Sequence, residues 1–339
     1  MAIKVITPGL STTVQDLGRP GYYNIGIPLS GGMDLYATRC ANMLVGNDEG
    51  AAVLEAVFMG PELEFTEDAV VAVTGAELPP KVDGAPRETW TSFLVLKGQR
   101  LSFDFLKKGA RAYIAVSGGI DVPVVLGSRS TYTLGALGGL EGRKLAAGDV
   151  LKRGMAASAW EGRTVPANLR RMPGSPAELR ALPGLYWHRI TASAGTNFFA
   201  DTWKVAPEAD RIGYRFKGGR PLEFVPRTPP FGAGSDPSNI VDACYPYGSI
   251  QVPGGTEPIV LHRDAVSGGG YFMLGTVISA DMDLIGQLQP HTPARFVSVT
   301  MEQALTARHD REALLNKLRQ SLEPKATFSL SGPVSARPG

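Results

Sequence analysis

The chain is built from short apolar segments separated by turn residues. Between residues 52 and 149, segments such as ELEF (62–65) and LSFDF (101–105) alternate apolar and polar positions, which is the period of a strand with one buried face. Asp83-Gly84 supplies a turn signal between two such segments. This pattern predicts half-exposed strands of an antiparallel sheet or barrel.

Two stretches have the period of a helix instead. Apolar residues from Met33 to Val45 recur on one face, and Gly46 follows as a stop signal. Towards the C-terminus, Thr300 and Gln303 fit a capping box, and an apolar stripe of leucines follows at Leu305, Leu315, Leu318 and Leu322. The chain is therefore predicted to be mainly β with a few helices.

The second half contains three further β-type runs, GSIQV (248–252), PIVLH (258–262) and YFMLGTVIS (271–279), separated by Pro/Gly-rich breaks. Asp264 follows where the second run would end, and glycines from Gly268 to Gly270 would let backbone N–H groups approach a ligand. A binding edge is one interpretation of this segment. A hairpin loop with Asp264 as a turn former is the other.

A composition change divides the chain into two domains. Residues 152–183 lose periodicity and gain Pro, Ala and Arg, as expected of a connection. We therefore predict an N-terminal β domain with one helix over 1–151 and a C-terminal β domain with a terminal helix over 184–322. The Ser/Pro/Gly-rich segment 323–339 is predicted to be a disordered tail.

Composition narrows the class of protein. The chain has 339 residues, of which 43% are hydrophobic, and its 41 glycines and 26 prolines suit many short strands. Its net charge is only +2, with Lys and Arg scattered, so nucleic acid is not an expected partner. No apolar run approaches the length of a membrane span, and the N-terminus does not resemble a signal peptide. A cytoplasmic protein that does not enter the membrane is predicted.

The sequence lacks several well-known catalytic motifs, including the P-loop, the dinucleotide-binding glycine motif and the nucleophile elbow. Its two cysteines and four histidines are isolated from one another, so no metal site is predicted. Carboxylates, an arginine, amides and bare backbone remain. Such a set suits a small planar polar molecule, for example an amide, a urea or a lactam.

Two places offer such groups, and each has a purely structural alternative. Ser30 and Asp34 stand at the start of the first predicted helix, where free N–H groups attract oxyanions, although simple capping explains them equally well. Asp210 and Arg211 precede a glycine and a strand-like segment, so they either place a carboxylate and a guanidinium at one edge or form a surface ion pair.

Motifs occur in a fixed order along both halves. The N-terminal set is TTVQDLGRPGY (12–22), GIPLSGGMD (26–34), VTGA (73–76), VSGGIDVPVVLGSRSTY (116–132) and GGLEGRKLAAGD (138–149). The C-terminal set is ADRIGYR (209–215), Gln251 to Pro253, Pro258 to Leu261, Asp264, Gly269 to Tyr271 and Thr276 to Asp281. From Ile3 to about Val299 the chain resembles the allophanate hydrolase subunit 2 family. That family includes the C subunit of 5-oxoprolinase and the carboxyltransferase domain of biotin-dependent urea carboxylase.

The resemblance implies tandem cyclophilin-like β-barrel domains. It also implies a carboxyltransferase-like subunit of a 5-oxoprolinase or urea amidolyase type of complex, which activates a small amide, urea or lactam such as 5-oxoproline. A subunit-1 protein (the KipI-like B subunit of 5-oxoprolinase) would complete the heteromer, and a biotin carboxylase with its carrier, or a LamB-type A subunit, would be further partners. ATP would be used by the complex. Biotin would be carried on another chain, because no Met-Lys-Met attachment site occurs.

The resemblance also implies roles for individual residues. Loops of both domains would meet in one crevice, with Asp264 and Asp210 as proton acceptors and Arg211 and Gln251 positioning the carbonyl or carboxylate. The pocket lining would comprise Ser30, Asp34, Tyr214, Ser238, Asn239, Gly269, Gly270 and Tyr271. Asp236 stands where the urea carboxylase stretch has a histidine, and GGGYF (268–272) replaces a commoner T-T-G-G-Y-P, so the substrate does not follow directly. The alternative is a regulatory module of the KipA type, which antagonises a kinase inhibitor.

Overall fold

A computed structural model describes residues 2–156 and 160–322 of the chain. The tail predicted over 323–339 lies outside the described residues. The N-terminal half holds helix α1 (Leu35–Val45) and the strands β1 Ala2–Thr7, β2 Thr12–Gln15, β3 Val53–Val57, β4 Glu62–Phe65, β5 Ala69–Glu77, β6 Pro80–Val82, β7 Ala85–Pro86, β8 Ser92–Val95, β9 Arg100–Phe103, β10 Lys108–Val116, β11 Ile120–Asp121 and β12 Val150–Arg153.

These strands form two sheets that enclose one core. The seven-stranded sheet has the order β11-β12-β1-β4-β9-β6-β7, and the five-stranded sheet has the order β2-β3-β10-β5-β8. Ile3 and Leu63 of the first sheet pack with Leu54, Val71 and Ile114 of the second. β5 and β10 are buried along almost their whole length because α1 covers the other face of their sheet.

The C-terminal half holds helices α2 Ala192–Ala200, α3 Met282–Ile285 and α4 Met301–Leu322, with strands β13 Ala177–Pro183, β14 Trp203–Val205, β15 Gly213–Lys217, β16 Asn239–Cys244, β17 Ser249–Gln251, β18 Ile259–Leu261, β19 Gly268–Tyr271, β20 Met273–Val277 and β21 Pro293–Ser298. Seven of these strands close a barrel in the order β13-β20-β17-β18-β15-β14-β21, and β21 closes it by pairing in parallel with β13. β16 and β19 form a separate two-stranded ribbon.

The alternating sequence pattern explains the barrel wall. In β13 and β21, buried positions alternate with more exposed ones, so each strand presents one apolar face to the interior. Aromatic side chains fill that interior: Phe198 stacks on Phe296 with ring centroids 4.8 Å apart, and Trp203 and Phe216 pack around the pair.

The prediction of a mainly β chain with a few helices is confirmed. Two boundaries differ from the sequence pattern. The segment predicted as a connection, 152–183, ends in β13, which is already a barrel strand. α1 begins at Leu35 and not at Met33, because the Asp34 side chain accepts a hydrogen bond from the Ala37 N–H and so caps the helix at that position.

The terminal helix α4 returns from the barrel to the N-terminal half. Leu315 and Leu318 are fully buried in a cluster with α1, and Arg319 forms a two-pronged ion pair with Glu49, with N–O distances of 2.5 and 2.8 Å. The helix therefore ties the two halves together. Throughout the described part of the chain, each helix is too short or too polar to cross a bilayer.

Candidate active site at the seam between the halves

Three loops meet where the two halves touch, and we call this region the seam. In the loop 16–19, the Arg19 N–H donates a hydrogen bond to the Leu29 carbonyl (2.7 Å) of the loop before α1. In that second loop, the Ser30 N–H donates to the Arg263 carbonyl (2.9 Å) of the barrel half. Glycine is required at Gly31, since its φ is +89° and a Cβ there would lie 2.8 Å from the Gly18 nitrogen. The loop that opens α1 is therefore held between the N-terminal sheet and the barrel.

Arg211 is the main bridge across the seam. Its Nε donates to Asp264 Oδ2 (2.7 Å), its Nη1 to Glu55 Oε1 (2.7 Å) and its Nη2 to the Gly31 carbonyl (2.8 Å). Burial lowers the pKa of Arg211, but the Asp264 and Glu55 carboxylates outweigh it and raise that pKa overall. One guanidinium thus joins a carboxylate from each half and stays charged.

Glu55 is a fully buried acceptor for two further groups. Besides Arg211, its carboxylate accepts from the Met33 N–H and from the Tyr113 hydroxyl, both at 2.8 Å. Burial acts to raise the pKa of Glu55, but the Arg211 and Arg111 guanidinium groups lower it overall. The network keeps Glu55 ionised and fixes the start of α1.

A second buried bridge runs beside the first. Arg111 donates from Nη1 to the Tyr214 hydroxyl and to the Gly286 carbonyl (2.8 Å). Gln287 donates from Nε2 to Asp34 Oδ2 (2.9 Å), and its Oε1 accepts the Arg111 N–H (3.2 Å). Burial, together with the nearby Asp283 carboxylate, raises the pKa of Asp34 to about 7. Asp34 and Tyr214 therefore serve the contact between the halves.

Although Arg111 also leaves its buried Nε without a hydrogen-bond partner in the described part of the chain, unpaired donors are most numerous at Arg19 and Ser30. Both are fully buried, yet Arg19 Nε and Nη1 and Ser30 Oγ have no hydrogen-bond partner among the described residues. Arg19 Nη2 alone is bonded, to the Ser130 carbonyl. Leaving a buried donor unpaired costs about 1–3 kcal/mol, so these groups are expected to meet a ligand.

Asp264 lies within electrostatic range of Arg19. Burial lowers the pKa of Arg19, and the carboxylates of Asp16 and Asp264 partly offset that effect. Tyr132, half-buried nearby, has a pKa raised first by burial and then by Asp264. Arg19 and Ser30, with their unpaired donors, therefore lie at the seam with the Asp264 carboxylate. This set of groups is of the kind that binds a planar polar molecule and accepts a proton from it.

Arg19 is the group whose role the sequence did not indicate. Its spacing from Asp16 suggests an ion pair that shapes the loop, but Asp16 accepts instead from other donors, including the Ser128 hydroxyl (2.6 Å) and the Arg129 N–H (2.6 Å). The only sequence signal is an arginine set between Gly18 and Pro20 in the first motif.

Asp210 and Gln251, predicted to act at the same site, take other positions. The exposed Asp210 precedes Arg211, but its carboxylate accepts from the backbone N–H groups of Ile212 (2.8 Å) and Gly213 (3.1 Å) and so closes its own turn. Gln251 is buried in the barrel strand β17.

The remaining predicted residues gather at the ribbon. The Tyr245 hydroxyl bonds to the carbonyls of Gly269 (2.6 Å) and Tyr271 (2.7 Å), so it holds the glycine segment that includes Gly270. Ser238 Oγ donates to Asp236 Oδ1 (2.7 Å), and Asn239 begins the paired strand β16.

The predicted site residues therefore fall into two groups. Asp264, Arg211, Ser30, Asp34 and Tyr214 lie at the seam, whereas the glycine edge, Ser238, Asn239 and Gln251 belong to the ribbon and the adjoining barrel wall. A small apolar cluster of Tyr245, Leu261, Ala265 and Met273 packs between them. Among residues 2–156 and 160–322, no group of three or more His, Cys, Asp or Glu side chains is placed to hold a metal ion.

Comparison with known proteins identifies the family of the chain as one of carboxyltransferase domains. The family described as "Carboxyltransferase domain, subdomain A and B" matches residues 25–298, and the chain belongs to that family. It is 37% identical over 318 residues to the C subunit of 5-oxoprolinase from Escherichia coli (strain K12), covering 93% of this chain and 97% of that protein.

The chain is also similar to parts of much longer enzymes. It is 34% identical over 335 residues to urea amidolyase of Saccharomyces cerevisiae, which is 94% of this chain but 18% of that protein. In the crystal structure of the K. lactis urea amidolyase, a region superposes with a TM-score of 0.88 at 33% identity, covering 97% of this chain and 20% of the other. The resemblance seen in the motifs is thus confirmed along the chain.

Proposed function

We propose that this chain is the carboxyltransferase-type subunit of a 5-oxoprolinase-like complex, active on a lactam such as 5-oxoproline together with a subunit-1 partner. The observation that carries the proposal is the end-to-end match with the C subunit of 5-oxoprolinase, whereas the urea amidolyase match covers less than a fifth of that enzyme. Because that relative is described as one subunit of 5-oxoprolinase, the proposal includes a partner that supplies the rest of the machinery. The regulatory alternative has no comparable support.

Arg19, Ser30 and Asp264 are proposed to act at the seam. The free N–H groups of Arg19 and the Ser30 hydroxyl would hold the substrate's carbonyl or carboxylate oxygens, because charge-assisted hydrogen bonds to oxygen are strong in a buried setting. In a carboxyl transfer, Asp264 would accept the proton that the substrate nitrogen loses as the new bond from nitrogen to the carboxyl carbon forms. Arg211 would be a positioning residue, because its donors are already bonded to Asp264, Glu55 and Gly31. Asp210 is the weaker candidate for proton acceptor, since its carboxylate closes a turn.

We further propose that a biotin group borne by another chain binds at the seam. Such a group would supply an activated carboxyl function when bound, and ATP used by the complex would drive its formation or the opening of the lactam. Arg19 and Ser30 would offer their unpaired donors to its oxygens. Their burial would keep water away from the reacting atoms.

Reconstitution tests the proposal. The chain would be co-expressed with a subunit-1 protein and a LamB-type A subunit, and the purified complex assayed for ATP-dependent conversion of 5-oxoproline and of urea. We expect ATP-dependent loss of 5-oxoproline by the complex and none by the chain alone. A stable complex that turns over urea only would reassign the substrate. A chain that captures a kinase inhibitor and turns over neither compound would favour the regulatory alternative.

A further inference from the structure

Two arginines of the C-terminal half converge on one backbone carbonyl outside the seam. Arg227 Nη2 donates to the Asn239 carbonyl at 2.6 Å. Arg189 Nη2 donates to the Pro237 carbonyl at 2.6 Å and approaches the Asn239 carbonyl at 3.4 Å. The two guanidinium groups therefore lie side by side where the chain enters β16.

The pair carries charge that its surroundings do not neutralise. Burial, and then the Arg227 charge, lowers the pKa of Arg189. The hydrogen bonds found for the two guanidinium groups within the described ranges go to backbone carbonyls, and no carboxylate there forms an ion pair with either. Two like charges at close range repel each other, and the Tyr186 and Phe272 rings beside Arg189 offer π faces but no formal negative charge, so an anion would be stabilised there.

Both arginines also keep an unused donor. Arg189, only 8% exposed, has a buried Nε without a hydrogen-bond partner among the described residues, and so has Arg227. If the arginines served only to clamp the loop before β16, one bond from each would suffice. The unpaired donors and the mutual repulsion are not explained by that structural role.

A cavity opens beside the pair. It measures about 410 Å³ and is lined by both arginines, by apolar residues such as Ile240 and Val241, by the Tyr186 ring and by the exposed His188. A second cavity of about 450 Å³ shares Arg227 and its neighbours Val225 and Pro226. Asp242, an exposed residue, is the one carboxylate among the residues lining the first cavity. The space suits a small molecule with an apolar body and a charged head.

We propose that this cavity, which we call the arginine pocket, binds a small organic anion whose carboxylate or phosphate head lies against Arg189 and Arg227. A planar oxyanion beside the pair would bind to the guanidinium groups and relieve the repulsion between the two cations. The apolar walls would take the body of the molecule. None of the pocket's lining residues belongs to the seam, so the inference stands whether or not the seam is catalytic.

Binding to the intact chain tests the arginine pocket. Phenyl phosphate, phenylacetate and the neutral phenylacetamide would be titrated by calorimetry and by NMR of the arginine Nε–H signals. We expect saturable binding of at least one anion, with a dissociation constant of about 1 mM or tighter, weakened by salt, and no binding of the amide. Tighter binding of phenyl phosphate would indicate a phosphate ester as the ligand, and tighter binding of phenylacetate a carboxylate.

Variants test whether the anion binds at the arginine pocket. Arg227→Gln should weaken it about tenfold or more, and Arg227→Lys less, because lysine keeps the charge but not the planar fork. Arg220→Gln is the matched control, since Arg220 is exposed and already paired with Asp201, and it should bind as the wild type does. Thermal melting of each variant checks the fold. The proposal is overturned if neither anion shifts the Arg189 and Arg227 Nε–H signals of the wild type, or if a folded Arg227→Gln binds equally well.

Discussion

At the scale of single residues, the arginines of the seam differ in how many of their donors are bonded within the described ranges: Arg19 leaves two nitrogens unpaired, whereas Arg111 and Arg263 each leave one. Arg211 bonds to Asp264, Glu55 and the Gly31 carbonyl, so its contribution is to fix their positions. Arg19 is more deeply buried than Arg211, but among the described residues its side chain bonds only to the Ser130 carbonyl. Unused hydrogen-bonding capacity, and not charge alone, is therefore what marks Arg19 and its neighbour Ser30 as ligand-binding candidates.

Ser30 offers a substitution that separates binding from stability. Its hydroxyl has no partner among the described residues, so Ser30→Ala should change the free energy of unfolding by less than about 1 kcal/mol. If the hydroxyl holds a substrate oxygen, kcat/KM of the complex should still fall about tenfold. Urea denaturation and steady-state kinetics measure the two effects.

Ser128→Ala is the matched control for Ser30. The Ser128 hydroxyl donates to buried Asp16, so its loss should destabilise the fold by about 1–3 kcal/mol. A Ser30→Ala variant that is destabilised as much as Ser128→Ala, with activity unchanged once folded, would mean that Ser30 is structural.

The sequence predicted part of this residue-scale picture. Asp264, Arg211 and Ser30 could be selected as site residues, but the contact of Arg211 with Asp264 spans 53 residues and depends on how β15 and β18 pair in the barrel. Arg19 could not be selected from the sequence, because an ion pair with the nearby Asp16 would account for it. Only the folded loop shows that Asp16 is occupied by serine hydroxyls and backbone N–H groups.

At the scale of elements, α4 and the ribbon show what periodicity can and cannot predict. The leucine spacing of α4 predicted a helix, and Leu315 and Leu318 are indeed buried. The pattern did not indicate that the partner of this face is α1 of the other half. The glycine segment that sequence reasoning placed beside Asp264 belongs instead to the ribbon, because the Tyr245 hydroxyl bonds to its backbone.

The packing of α4 gives a prediction about stability. Leu315→Ala should lower the free energy of unfolding by about 2–5 kcal/mol, because it opens a cavity between α4 and α1 in the fully buried part of the helix. Leu305→Ala, on the same helix at a position 40% exposed, should cost well under about 1 kcal/mol. Equal losses from the two variants in urea denaturation would show that α4 is not anchored through this face.

At the scale of the whole molecule, the two halves share a buried polar contact that depends on protonation. Asp34 caps α1 and accepts from Gln287 of the barrel half, and its pKa of about 7 means that the folded chain holds a proton there well above the usual range. Asp283, whose carboxylate bonds to Arg311 of α4 and to Arg171, lies close enough to contribute to that rise.

The sign of the pH effect follows from this pKa. An unfolded Asp titrates near about 4, so between about pH 4 and 7 the folded state keeps a proton that the unfolded state has lost. The stability that Asp34 contributes is therefore complete below about pH 4 and is lost as the pH rises through about 7, by no more than about 4 kcal/mol.

Asp34→Asn should flatten that part of the stability curve. The asparagine keeps an oxygen for the Ala37 N–H but turns an NH₂ group towards the Gln287 side-chain NH₂. We therefore expect a loss of stability that is the same at every pH, and the slope of the unfolding free energy against pH is the informative quantity. The free energy of unfolding would be measured from pH 4 to 8 for the wild type, Asp34→Asn and the control Asp48→Asn, which lies outside the buried contact. Parallel curves for wild type and Asp34→Asn would contradict the assignment.

The central claim is that the reaction takes place at the seam, with Asp264 as proton acceptor. The most direct measurement compares kcat/KM of the reconstituted complex carrying Asp264→Asn with that carrying Asp210→Asn, after melting and co-purification confirm that each variant folds and binds its partner. We expect a fall of about 100-fold for Asp264→Asn and little change for Asp210→Asn, whose side chain still closes its turn. Full turnover by a folded Asp264→Asn complex would contradict the claim.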